Sequence, residues 1–526
     1  MIIRKKPARP HALGEPILHE NHKRPVTRRE MLGAGLISAP AVLMAPAWLG
    51  ALLRSGQANA LSNDIQALAQ NTCGLIQAGG GKSLPFICFD FAGGANLVGS
   101  EVLVGVNGGQ SNFLSTAGYG KLGLPGNMVP SSSANISNAL GLLWHSDGAI
   151  LRGILSKATT AATAAGTNGA VICAMSQNDT GNNPHNPMYG IAKAQTTKGQ
   201  LLELIGSQST VSGGNSAAPM SLIDPTLQPT KISQPADATG LVDTGGASAD
   251  PVIVAALESE SRISYNGTGG VLANAGLAVY PGNATLDAKA KTQMQCQYVK
   301  SAYTTDAFGN PANLDPTQDP NITGTAGGAP IFTATDFKDG DVAKTATVMK
   351  LVLNGYAGAG TISMGGFDYH DSTRATGEQR NFKAGQMIGA VLEYAQRVKS
   401  PVMIYVFSDG SLSATSTPDT STNGRGKLGW QGDNQSTAST FFLVYSPNGR
   451  PTPTNGAASQ QIGYFSADGS VVSTSSPAGN SVTNLVWTVI LNYMSMLGTA
   501  GNFATTFPMQ TLGTAASGLM AFGQIV

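Results

Sequence analysis

Three short runs of consecutive apolar residues punctuate the chain, and each breaks off at polar positions. "PFICF" (85–89) stops at Asp90, "AVICAM" (170–175) leads into Ser176, Asn178 and Asp179, and "PVMIYVF" (401–407) ends at Ser408-Asp409-Gly410. A run that is apolar at every position, rather than at alternate ones, suits a parallel strand covered on both faces. Between the runs the period changes. In 378–399, Ile388, Val391, Leu392, Ala395 and Val398 recur at helical spacing. Thr376 and Gln379 have the spacing of a capping box, and Pro401 closes the unit. Residues 284–300 and 483–497 read as further helices. Segments 207–250 and 304–330, rich in Gly, Ser, Thr, Pro and Asp, read as long surface loops or insertions rather than core. No repeat of fixed period is present. The alternation predicts an α/β fold with a mostly parallel sheet and helices on both faces. Ligands of such sheets bind beyond the carboxyl ends of the strands. Asp90, Asp179 and Asp409 therefore become candidates for a shared site.

Composition changes the picture at the N-terminus. Charged residues make up 12% of the 526, about half the usual share. Arg28-Arg29 precede an uncharged apolar run from Met31 to Leu53, which ends in Ala58-Asn59-Ala60. Thr27-Arg28-Arg29-Glu30-Met31-Leu32 resembles the twin-arginine export motif, and the small-x-small ending resembles a cleavage site. The run is also long enough for a membrane anchor, but Pro40, Pro46 and its Gly and Ala content favour a removable signal over residues 1–60. The expected partner is the twin-arginine translocation machinery, the expected location periplasmic or secreted, with no stable membrane span after cleavage. Residues 1–60 hold nine of the 31 Lys/Arg and three of the 30 Asp/Glu, so the remainder carries 22 basic and 27 acidic residues, net −5. No basic patch points to nucleic acid.

The four cysteines form no CxxC, and no CxxCH occurs, which argues against haem attachment. Cys88 and Cys173, inside apolar runs, are expected as buried filler. A Cys73–Cys296 bridge is compatible with an oxidising compartment.

The candidate chemistry gathers in "SMGGFDYHD" (363–371), which places Asp368, His370 and Asp371 after a Gly-Gly turn in a chain with six histidines, three of them before residue 23. Two readings stand side by side: a metal site, or a turn whose side chains satisfy its own backbone. Gly365-Gly366-Phe367-Asp368-Tyr369-His370, followed by a helix, an apolar strand and Ser408-Asp409-Gly410, resembles an exported domain-of-unknown-function family in the alkaline phosphatase–sulfatase superfamily. Phe91-Ala92-Gly93-Gly94-Ala95-Asn96 is similar to that family's early glycine-rich loop. The resemblance implies an alkaline phosphatase-like fold over 61–526 with metal ligands among Asp90, Asp368, His370 and Asp409. It also implies departures. Gly410-Ser411-Leu412 stands where Phe-Gly-Arg is expected. The stretch 423–433, where a Thr-Asp-His-Gly motif should fall, has no histidine, and Asn96 replaces the usual Asp.

Superfamily members hold two metals, which polarise a phosphate or sulfate ester. Beyond residue 60 this chain offers only His145, His185 and His370, so a two-zinc site is poorly supplied. One oxygen-rich Ca²⁺ or Mg²⁺ site from Asp90, Asp368 and Asp409 remains feasible, so the expected state is one metal or none. Lys427 would oppose a second cation if its ammonium faced the site. His185 is a candidate for lining the site and His145 reads as structural. No nucleophile stands out: Ser131-Ser132-Ser133 follows the first strand at a plausible distance, but a Ser run in a loop is usually just a loop. "GYAGAG" (355–360) lacks the lysine and helix of a phosphate loop. Two functions follow: a degenerate relative with a binding or cell-envelope role, or a metal-dependent ester hydrolase.

Overall fold

The apolar runs become strands that are buried from end to end. In the computed structural model, which describes residues 61–73, 84–176, 183–242, 251–265, 282–308 and 310–526, "PFICF" lies in β1 (Phe86–Gly94) and "PVMIYVF" in β6 (Val402–Gly410). The run at 170–175 is strand only in its first half, as the end of β2 (Thr167–Ile172). Five more strands complete the sheet: β3 (Leu202–Gly206), β4 (Thr230–Lys231), β5 (Ala357–Met364), β7 (Thr440–Tyr445) and β8 (Gln461–Ile462). Their order is β8-β2-β7-β6-β1-β5-β3-β4. β7 pairs antiparallel with both of its neighbours, and the other five pairings are parallel. The mostly parallel α/β sheet expected from the sequence is therefore present. Residues 1–60, where the export signal is expected, and Asp179 lie outside the described residues.

Both faces are covered, which is why the strands carry no polar alternation. Ile87, Phe89, Ile404, Val406, Phe441 and Leu443 point to one layer, formed by α2 (Ala149–Lys157), α6 (Gly340–Leu353) and α7 (Ala375–Arg397). Phe86, Cys88, Met403, Tyr405 and Phe407 point to the other, formed by α3 (Met188–Ala194) and α8 (Val482–Met496). The helices expected at 378–399 and 483–497 are thus α7 and α8.

The helix expected at 284–300 runs further, as α5 (Ala284–Phe308). It packs on α1 (Asn63–Asn71) and α4 (Pro251–Tyr265). A Cys73–Cys296 disulfide ties α5 to the residues just after α1, while Cys88 and Cys173 are free and buried. Among the described residues no helix is long and apolar enough to cross a membrane.

Local expectations are corrected in three places. Segment 207–250 is not all surface loop: it supplies edge strand β4, and Ile232 and Ala238 are fully buried. In 304–330, Leu314 and Ile322 enter the core. Asp319 is buried there too, held by Lys350 and Tyr394. A charged residue and loop-like composition hid these positions, because pairing makes the charge tolerable inside. Finally, no capping box forms at Thr376. Helix α7 starts one residue earlier, and Asp419 accepts the amides of Arg374 and Ala375, supplying from a distant loop what the local side chains do not.

Candidate metal centre at the carboxyl edge of the sheet

The Gly-Gly-Phe-Asp-Tyr-His turn leaves the end of β5 and folds over the end of β1. Gly366 takes a φ of 84° and Asp368 a φ of 76°, a left-handed conformation that aspartate tolerates better than most residues. Burial then alternates. Phe367 and Tyr369 turn inward, and Asp368 and His370 turn outward. Phe367 stacks on Phe91, centroids 4.3 Å apart and planes 8° from parallel. The Tyr369 hydroxyl donates to Asn381 of α7 at 3.0 Å. The Asp368 amide donates to the Gly94 carbonyl at 2.6 Å. A side chain at Gly93 would press on Asp368, its Cβ only 2.8 Å from the Asp368 Cβ. Two aromatic anchors and one backbone bond thus set Asp368 and His370 side by side, with His370 Nε2 2.9 Å from Asp368 Oδ1.

A third candidate ligand comes from elsewhere. Immediately after β6 the chain forms a two-stranded antiparallel ribbon, Leu412–Pro418 with Leu428–Asp433. The turn is stitched to it by the Ser372 amide on the Trp430 carbonyl and the Trp430 amide on the Thr373 carbonyl, both 2.9 Å. This register delivers Asp433 to the turn. Among the described residues, Asp368, His370 and Asp433 are the group of His, Cys, Asp or Glu that could hold a metal ion, with one ligand atom from each within 4.8 Å of the others. All three are exposed. The 2.9 Å between His370 Nε2 and Asp368 Oδ1 is close to the separation of two neighbouring ligands on a cation with bonds of about 2.1 Å.

Asp90 and Asp409 do not belong to that group. Both are fully buried. Asp90 lies opposite Phe407 in the β1–β6 register, two residues short of Asp409 and on the same face. Asp90 is held by Ser216, whose amide donates to Oδ2 at 2.8 Å and whose hydroxyl donates to Oδ1 at 3.0 Å. Burial pushes the Asp90 carboxyl up to about 6. The Ser216 and Asn215 donors oppose the rise, and the Asp409 charge adds to it. Asp371 spends its carboxylate on Thr373 and Thr376, so at this residue the turn-capping reading holds.

His185 stacks on Phe407, centroids 5.6 Å apart, and its Nε2 lies 3.0 Å from Ser176 Oγ. This has the outline of a nucleophile–base pair, but the protons run the wrong way. The Ser176 hydroxyl donates to the Asp409 carbonyl. A hydroxyl that donates there does not also donate to His185 Nε2, so in this arrangement the ring does not draw the Ser176 proton. Burial lowers the His185 pKa to about 3, so the ring is neutral at pH 7. His145 is structural: Nε2 meets the Met128 carbonyl at 2.9 Å and Nδ1 accepts the Asp147 amide. Ser131, Ser132 and Ser133 are exposed.

No known family model, curated protein or solved structure matches the chain.

Beneath the turn lies a buried ionic layer. Lys427 is fully buried and donates to Glu378 Oε1 at 2.8 Å and to the Asp147 carbonyl at 2.7 Å. Its ammonium is spent there. Arg374 pairs with Glu378 at 2.9 Å and lies over the Trp430 ring, 4.4 Å from its centroid. Glu101 accepts from Asn381 and from the Ile150 amide. Burial and the adjacent Glu378 charge raise the Glu101 pKa. Asn381 joins this layer to Tyr369, so the ionic layer positions the turn without touching a ligand.

Sequence reasoning missed Asp433 and Ser216. Asp433 closes the stretch in which the resembled family places its histidine motif, and a search for carboxylates there would have found it. Ser216 had no signal, because it sits in a segment of loop composition.

Proposed function

We propose that the protein is exported and holds one hard divalent cation at Asp368, His370 and Asp433, serving a binding role in the cell envelope rather than turning over a substrate. The observation that carries the cation reading is the convergence of these three ligand atoms within 4.8 Å at an exposed edge. Two of the three ligands are carboxylates, and the exposed positions leave room for several waters, as Ca²⁺ and Mg²⁺ favour. The resemblance to alkaline phosphatase–sulfatase superfamily proteins supports the same edge of the sheet as the site. Against turnover, a second metal would need further convergent ligands, and both oxygens of buried Asp90 are engaged by Ser216. Ser176, the serine paired with a histidine, is not activated. Export through the twin-arginine machinery rests on Arg28-Arg29 and the apolar run that follows.

Calorimetric titration of chelator-treated protein lacking residues 1–60 tests the reading. One equivalent of Mg²⁺ or Ca²⁺ is expected to bind, and Asp433→Ala is expected to abolish binding while Asp90→Asn leaves it. Hydrolysis of an aryl phosphate or sulfate with two bound zinc ions, lost in Asp368→Ala, would replace the binding role by ester hydrolysis.

A further inference from the structure

Away from the carboxyl edge, a cleft of about 460 Å³ opens between the end of α2, the segment preceding α6, the start of α6 and the middle of α7. Its walls carry Lys157, Lys338 and Lys383 against Asp336 and Asp339. Of the two carboxylates, Asp339 is ion-paired and Asp336 keeps its charge beside Lys157. Asp339 pairs with Lys383 through one oxygen and accepts the Asp341 and Val342 amides with the other. Asp336 accepts the Thr333 amide at 2.8 Å. Of the three lysines, only Lys383 is in an ion pair among the described residues. The Lys157 ammonium is held in place, donating to the Ile331 carbonyl at 2.7 Å and lying 5.0 Å from the centre of the Phe332 ring. Burial lowers its pKa, Asp336 offsets part of the fall, and Lys383 adds to it. Three ammonium groups against two carboxylates leave the cleft one positive charge in excess, which an anion bound there would balance. The helix terminus does not supply the attraction, because Asp339 already occupies its first amides.

We propose that this cleft binds a small multivalent oxyanion, a phosphate or sulfate group, between Lys157, Lys338 and Lys383. Thr335 and Gln386 line the same space and offer neutral donors. The site shares no residue with the Asp368–His370–Asp433 group and stands independently of it.

Calorimetry with inorganic phosphate and inorganic sulfate at low ionic strength tests the assignment, with chloride as the control anion. The expected result is saturable binding of one phosphate or sulfate that weakens as salt is added. Lys338→Gln should reduce affinity roughly tenfold, a loss of about 1.4 kcal/mol. Lys338 is exposed, so this variant should keep the wild-type unfolding midpoint. Lys157→Gln combined with Lys338→Gln should remove binding, and Lys198→Gln, whose lysine pairs with Glu203 elsewhere, should not alter it. The assignment is overturned if neither anion binds, if binding is unchanged in Lys338→Gln and the double variant, or if binding requires a divalent cation and is lost in Asp433→Ala.

Discussion

Asp90 and His185 are buried together, His185 stacked on the Phe407 that lies opposite Asp90 in the sheet register, yet they tilt stability in opposite directions with pH. The folded pKa of Asp90 is raised from 3.8 to about 6. Its contribution is therefore complete below pH 3.8 and is lost as pH rises through 6. That of His185 is lowered from 6.5 to about 3, so its contribution is present above 6.5 and lost as pH falls toward 3. Asparagine at 90 can still accept the Ser216 amide and donate to its hydroxyl. Asp90→Asn should therefore gain stability relative to wild type between pH 4 and 7, by about 3 kcal/mol at most. His185→Gln should flatten the acid limb instead. Urea midpoints measured across pH 3–8 check both, and parallel curves for Asp90→Asn and wild type would refute the first.

At the scale of elements, α2 and α7 touch through glycine. A methyl group on Gly385 would run into the Ile150 carbonyl, and one on Gly153 into the Phe382 carbonyl. The helices approach at backbone distance, which no side chain permits. Gly→Ala usually stabilises a helix interior by up to about 1 kcal/mol. Here overpacking opposes that gain, and separating two buried helices costs on the order of 1–3 kcal/mol. Gly385→Ala should therefore lower the thermal midpoint, despite its better helix propensity. A midpoint at or above wild type would show that the interface yields. Because Asn381, one turn earlier, holds Tyr369, the same variant should also weaken cation binding at the neighbouring turn.

At the scale of the whole molecule, the Cys73–Cys296 bridge spans a sequence separation of 223 residues. The small apolar cluster beside it, Ile65, Ala69, Val299 and Ala302, is the main apolar contact there, so the covalent tie holds α1 to α5. Such a bridge persists in an oxidising compartment and not in the cytosol. Exported protein, denatured without reductant, should show two alkylatable thiols, Cys88 and Cys173. Protein retained inside by Arg28→Lys with Arg29→Lys should show all four. Two thiols in both samples would break the link between export and the bridge. Reduction of the exported form should release residues 61–73 to proteolysis while the sheet survives, which limited digestion would reveal.

The sequence by itself determined the strands β1 and β6, the helices α7 and α8, and the mostly parallel sheet. These follow from covalent geometry: a buried strand is apolar at every position and a helix at every third or fourth, so the signal is local. It also placed Asp368 and His370 in one turn, because three residues cannot spread far. Tertiary structure decided the rest. Asp433 reaches that pair only through the ribbon's register, Ser216 finds Asp90 only once the 207–242 segment is laid against the sheet, and Asp419 caps α7 from a distant loop. Such pairings leave no periodic trace, since a side chain that satisfies a ligand or an amide across the fold is selected by position in space, not by its neighbours in the chain.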